Sequence, residues 1–206
     1  MPEEGPAMRA SFDKLISWTG VLLAAFLLVA GGMLTYAYFY IGDEVETQLG
    51  IQGITMPEGA ALQSLPPADQ DALEPYAGSP MDTGPEARAY ADHYILAHMN
   101  AASGGKTYEE VSSAYLAMSS EQKASPEGQK QAALRTTLFQ GNTLRGLLLY
   151  GAAFATMGTI AGYAAIGAFV GAAILLVLGF LGLRHARRLE RAAGGQSTVA
   201  DQATAS

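Results

Sequence analysis

Half of this 206-residue chain is hydrophobic, it has no cysteine, and 19 Asp/Glu against 12 Lys/Arg leave a net charge of −7. The missing cysteine excludes disulfides and thiol chemistry. The negative balance argues against nucleic acid as a partner.

Taken in chain order, residues 1–6 are rich in Pro, Gly and Glu and read as a tail within a cytoplasmic segment 1–14. Residues 15–42 form an uncharged apolar run of 28 residues. A helix rises about 1.5 Å per residue, so roughly 20 such residues cross a hydrocarbon core of about 30 Å. Arg9 and Lys14 resemble the basic start of a secretory signal, yet the run is too long for one and no A-x-A site follows. The expectation is a first transmembrane helix over 15–41. Trp18 lies near one end of it, and Tyr36, Tyr38, Phe39 and Tyr40 cluster at the other, as interfacial aromatics do.

Residues 43–84 are acidic and carry five prolines, Pro57, Pro66, Pro67, Pro75 and Pro80. That composition predicts an extended, irregular strap, pinned at most by apolar patches such as 51–56, and on the plainest reading only a linker. Regular structure is expected from Thr83 through residue 145. Pro85 suits a first helical turn, and Glu86 suits the positive end of the helix. Tyr90, Tyr94, Ala97, His98 and Ala101 share one predicted helical face, which makes His98 an interior, hydrogen-bonded histidine. Gly104-Gly105 should end that helix, since glycine takes the left-handed turn cheaply. Thr107-Tyr108-Glu109-Glu110 reads as a capping box that opens a second helix, running to about Met118. Ser125-Pro126-Glu127 should open a third that continues toward the second apolar run, with a kink at Gly141-Asn142.

Residues 146–183 form the second uncharged run, 38 residues long. Its middle, 159–167, has no Pro, Asn or Asp to turn the chain, so two further crossings are not expected. Lys14 and Arg9 flank the first run, and Arg184, Arg187, Arg188 and Arg191 follow the second. Basic flanks stay cytoplasmic, so two crossings put both termini inside and export residues 43–145, which hold 14 Asp/Glu against 6 Lys/Arg. Tyr163 marks an interface about 31 Å before Arg184, so the second span is expected at about 163–183. The preceding 146–162 would then be apolar helix outside the bilayer, needing a cover from the chain itself, from another copy or from a partner. Residues 184–206 are basic and then aperiodic, a second cytoplasmic tail expected to be disordered.

Small residues punctuate the second run. Gly158-x-x-x-Gly162 and Gly167-x-x-x-Gly171 permit close helix approach, and Gly151, Gly158, Ala165 and Ala172 recur every seven. The stripe suits packing against the first helix, self-association, or a partner membrane helix. Motifs of chemistry are sparse. Gly104-Gly105-Lys106-Thr107 ends like a phosphate-binding loop, but Asn100 stands where that motif needs glycine, and a helical corner explains the same letters. His93 and His98 are about 140° apart on a helix and cannot chelate one metal as an i, i+4 pair does. No G-x-S-x-G elbow is present. Neither run carries the charged residue that pumps and proton relays use.

The stretch Tyr90-Ala91-Asp92-His93-Tyr94-Ile95, then His98, the corner from Ala102 to Tyr108, and Leu144-Arg145 before the long apolar run, resembles a family of small actinobacterial membrane proteins. The resemblance implies two membrane helices around an extracytoplasmic segment with an H…(T/S)GGKTY corner. Members often carry the label aromatic-ring-opening dioxygenase, which implies a mononuclear iron held by two histidines and a carboxylate; His93 and His98 are badly spaced for that. The strap and the stretch 119–131 are longer here than in that pattern.

The combined expectation is an all-α membrane protein of the plasma (inner) membrane, two transmembrane helices with a small extracytoplasmic helical cap. It is expected to be a non-enzymatic assembly, scaffold or accessory subunit of a cell-envelope complex, with no cofactor, metal or catalytic residue. Its partners would be the lipid bilayer and either itself or a partner membrane helix. Gly158, Gly162, Gly167 and Gly171 are assigned to helix packing, and His98, Gly104, Gly105 and Thr107 to the cap corner. The alternatives are a ligand-binding protein or enzyme using the corner at 90–107, or an oligomeric solute channel.

Overall fold

The computed structural model describes the backbone of residues 6–204 and the side chains of residues 8, 11–189 and 191. The chain is 86% helical, and no strand occurs among the described residues. The side chains of the tails at 1–6 and 192–206, and that of Arg9, lie outside the described residues; the backbone of the last helix is helical to Thr204.

Two long helices dominate, α1 (Pro6–Gly50) and α8 (Pro126–Thr204). Between them lie α2 (Gly59–Gln63), α3 (Pro67–Leu73), a 3-10 turn (Glu74–Tyr76), α4 (Gly84–Ala89), a wide π-helical turn (Tyr90–Ile95), α5 (Leu96–Ser103), α6 (Tyr108–Leu116) and α7 (Ser120–Ala124). Both long helices contain stretches long and apolar enough to cross a membrane, within Ser11–Gly50 and Pro126–Leu189. Only 17% of the most apolar window of each is buried. The contacts divide the chain into two compact units, one formed by Met1–Tyr38 and Ile160–Ser206, the other by Phe39–Thr159.

In the first unit α1 and α8 run antiparallel through a seam of small residues. As the position on α1 rises from Ser17 through Val21, Leu27 and Gly31 to Tyr38, the α8 residue facing it falls from Gly182 through Gly179, Gly171 and Phe169 to Gly162. Ser17, Ala24 and Gly31 are buried on α1, and Ala165, Ala172, Gly179 and Ala186 on α8, each set at seven-residue spacing. A strict seven-residue repeat keeps one stripe facing a neighbour as two helices wind round each other. Ala165 and Ala172 of the expected recurrence lie buried, and Gly162, Gly171, Gly179 and Gly182 near them on α8 face α1. Outside the seam, Leu22, Phe26, Met33, Ile166, Val177 and Phe180 are exposed.

The second unit has a core made largely by the segment expected to be a loose strap. Met56, Leu73 and Met81 are almost fully buried, and Leu65 nearly so, together with Val45 and Leu49 of α1, Ala87, Ala91, Ile95 and Met99, Val111 of α6, and Leu138 and Leu148 of α8. The linker reading is corrected on two counts. Residues 43–50 continue α1, and the rest folds into α2, α3 and a clasp. In the clasp, Met56 and Met81 donate their amides to the carbonyls of Ser79 and Ile54, at 2.8 Å each. Its prolines open α3 and the 3-10 turn rather than keeping the chain extended. Met56 does pin the 51–56 patch, while Ile51 stays exposed.

At Gly141-Asn142, where a kink was expected, α8 is helical without interruption. Gly141 instead admits the Met99 side chain, whose sulfur would lie 2.6 Å from any Cβ added there.

Candidate functional site

The middle helices of the second unit are set by local signals. Thr83 and Glu86 form a capping box at α4, Thr107 and Glu110 one at α6, and Ser119 and Gln122 one at α7. Glu86 does more than cap. Its buried carboxylate accepts from the hydroxyls of Ser79 (2.8 Å) and Thr83 (2.7 Å) and from the amides of Asp82 (3.1 Å) and Thr83 (3.0 Å). Burial pushes this carboxyl up, and the four hydrogen bonds outweigh it, leaving Glu86 below the usual carboxylate range. It thereby fastens the clasp to the start of α4. Gly84 beside it sits so close to α8 that an added Cβ would overlap Ala155.

The corner is built as expected at three of its four residues. Gly104 and Gly105 take left-handed φ values of 64° and 81°, and the Gly105 amide closes α5 on the Asn100 carbonyl at 2.9 Å. Thr107 then starts α6, its amide donating to Glu110 at 2.8 Å. The Glu110 carboxyl is lowered by that amide and by the Thr107 hydroxyl.

His98 departs from expectation, being exposed. Its Nδ1 lies 2.8 Å from the Tyr94 carbonyl oxygen, and its ring leans on that of Tyr94, with centroids 4.4 Å apart. The buried face carries Ala87, Ala91, Ile95, Met99 and Ser103 instead, each four residues from the last. An α-helix would rotate such a stripe by about 40° per step. The wide turn at Tyr90–Ile95 absorbs that drift, because a π-turn accommodates more residues per turn. Tyr90, Tyr94 and Ala97 are left half-buried at the flank of the core. Burial, with Tyr94 adding to it, pushes the Tyr90 phenol up.

The same wide turn aims two neighbouring side chains at different elements. Asp92 accepts from Nη2 of Arg145 on α8 at 2.7 Å, and His93 Nδ1 lies 2.9 Å from Asp69 on α3. The first pair joins the two stretches on which the family resemblance rests. Spacing alone did not disclose either pair, because their members are 53 and 24 residues apart. The two histidines thus have separate partners, and no group of three His, Asp or Glu able to hold one ion occurs among the described residues. His98, Asp69 and Asn100 line a cleft of about 520 Å³ that none of Gly104, Gly105 and Thr107 enters.

Of the four packing glycines, Gly162 faces the Tyr38 ring and Gly171 faces Leu27, both on α1. Gly158 is buried, whereas Gly167 is exposed with open space around it. Gly167 therefore lies off the seam.

A recess of the second unit lies between α1 and α8 and was not foreseen from the sequence. It is an apolar groove of about 570 Å³. Val45, Leu49 and Leu148, all buried, form its floor, and Leu49 Cδ2 lies 3.5 Å from where a Cβ on Gly151 would stand. One wall is apolar and exposed, with Leu147, Phe154 and Met157 of α8. The other is polar, with Glu44 and Gln48 of α1 and Gln52 just beyond its end. The chain's own strap and helices thus cover one face of 146–159, through Leu148, Ala152 and Ala155, and leave the opposite face open.

Neither a protein-family model, nor a curated protein, nor a solved structure matches this chain.

Proposed function

We propose that this protein is a non-catalytic accessory or assembly subunit, held in the plasma (inner) membrane by two crossings, with both termini cytoplasmic and residues 43–145 exported. Several features support the membrane setting. The outer faces of both apolar helices are uncovered. The hydroxyls of Thr19 and Thr35 donate to carbonyls four residues back, as polar groups in hydrocarbon must. The antiparallel register brings Lys14 and Arg184 to one end, since Ser17 faces Gly182. At the other end Tyr38 faces Gly162, which levels Tyr36, Tyr38 and Tyr40 with Tyr163 in a single aromatic belt.

The observation that carries the accessory role is the open face of α8 just before that belt. Leu147, Tyr150, Phe154 and Met157 are each more than half exposed. By the pairing of Leu49 with Gly151, this stretch lies alongside Asp43, Glu44 and Glu46 of α1. Three acids at that level argue that it stands in water, where such an apolar face needs a cover. The test is native mass in mild detergent with co-purifying chains identified. A stoichiometric second component supports the role, and a bare monomer under every mild condition contradicts it.

A second reading, a ligand site, is favoured by one observation, the convergence of His98, Asp69 and Asn100 on one cleft. A bound metal or polar small molecule lost from the purified protein on His98→Ala would favour it over the first.

A further inference from the structure

The groove's two walls differ in a way that selects its occupant. Leu147, Phe154 and Met157 offer an apolar strip along about three turns of α8. Opposite them Glu44, Gln48 and Gln52 recur every four residues, one hydrogen-bonding side chain per turn. The ladder is held in order, with Gln48 Nε2 donating to Glu44 Oε1 at 2.9 Å and Gln52 Nε2 to the Gln48 carbonyl at 3.3 Å. Asp43 and Glu46 stand exposed beside Glu44, and no Lys or Arg lines the recess.

We infer that this groove docks an amphipathic helix of a partner protein, with its apolar face on Leu147, Phe154 and Met157 and a Lys- or Arg-bearing edge along Glu44, Gln48 and Gln52. The inference rests on the accessory-subunit reading and names the chemistry of the partner. Two antiparallel helices with a half-open furrow form two thirds of a three-helix bundle, and a third helix at the usual separation of about 8–10 Å would complete it. Charge decides among occupants. A second copy would bring the same acidic segment, 14 Asp/Glu against 6 Lys/Arg in 43–145, against its own kind. A lipid tail would leave a turn-spaced ladder of carboxylate and amides facing hydrocarbon. A basic-edged helix satisfies both walls.

The test uses the full chain in zwitterionic nanodiscs and two fluorescent 18-residue helical peptides, one Leu/Lys and one Leu/Glu, each with a single apolar face. The Leu/Lys peptide should bind at least tenfold more tightly to the wild type than to Glu44→Lys or Phe154→Asp, and less tightly as salt rises. Gln48→Lys, at an exposed position of the polar wall, should weaken binding in the same direction. Glu109→Lys, on α6, should leave it unchanged. Equal binding to wild type and groove variants would overturn the inference, as would equal binding of the Leu/Glu peptide. Labelling of Leu147 or Phe154 by a photoreactive fatty acid that the peptide does not displace would give the groove to lipid. Cross-linking of Phe154→Cys to a second copy would give it to self-association. If chains co-purify in amounts that Glu44→Lys and Phe154→Asp do not change, the groove is wrong while the accessory role stands. If none co-purifies, the accessory role itself fails.

Discussion

Glu86 shows how much of the second unit hangs on one side chain. Four donors converge on a carboxylate that is only 7% exposed, so replacing it strands several of them at once. Hydrogen bonds to a charged group are worth about 1.5–3 kcal/mol, and Glu86→Gln should therefore destabilise this unit by about 2 kcal/mol. Limited proteolysis and thermal melting followed by circular dichroism would measure it. Folding lowers the Glu86 carboxyl below its ordinary value of 4.5, so the unfolded chain takes up the proton first. Its stabilisation is complete above that ordinary value and fades as pH falls through the lowered one. The Glu86→Gln protein should lose this part of the acid dependence and keep the rest. At Gly104, whose φ is 64°, alanine should cost about 1 kcal/mol, because a Cβ crowds the left-handed conformation; the same melts would show the loss.

At the scale of elements, the seam glycines separate into those that matter within the chain and one that does not. Gly162→Ile would drive a side chain into the Tyr38 ring, 2.8 Å from the first added atom, and should destabilise the helix pair by about 1–3 kcal/mol. Gly167→Ile meets nothing within 4 Å and should leave the helix pair intact. Resistance to unfolding in a denaturing detergent would rank the two, and equal loss in both would contradict the seam. The caps at Thr83 and Thr107 and the small-residue stripe were legible in the sequence because each is written within one or two turns of helix. The buried strap was not. Met56, Leu65, Leu73 and Met81 follow no period, and their burial depends on a clasp whose two sides are some 25 residues apart in the chain. The wide turn at Tyr90–Ile95 likewise moved the core face from Tyr94 and His98 to Ile95 and Met99, a shift that periodicity of 3.6 cannot register. The groove escaped notice for a third reason: its polar wall was read as part of the strap, when residues 43–50 in fact continue α1.

For the whole molecule, length and charge divide the labour between the two long helices. The register that sets Ser17 against Gly182 and Tyr38 against Gly162 makes residues 17–38 and 162–182 a matched pair, about 30 Å long on the helix rise. That is the thickness of a hydrocarbon core. The remaining apolar length of α8 belongs to the unit at Phe39–Thr159, where half of it is covered by the chain and half lines the groove. The proposed function rests on residues 43–145 being exported while both termini stay cytoplasmic. Because the chain has no cysteine, single substitutions report its position without background. The most direct measurement labels Lys106→Cys and Arg188→Cys in cells with a membrane-impermeant maleimide. Lys106→Cys should react in intact cells and Arg188→Cys only after permeabilisation. Equal reaction of both in intact cells, or the reverse order, would contradict the two-crossing topology and with it the docking role.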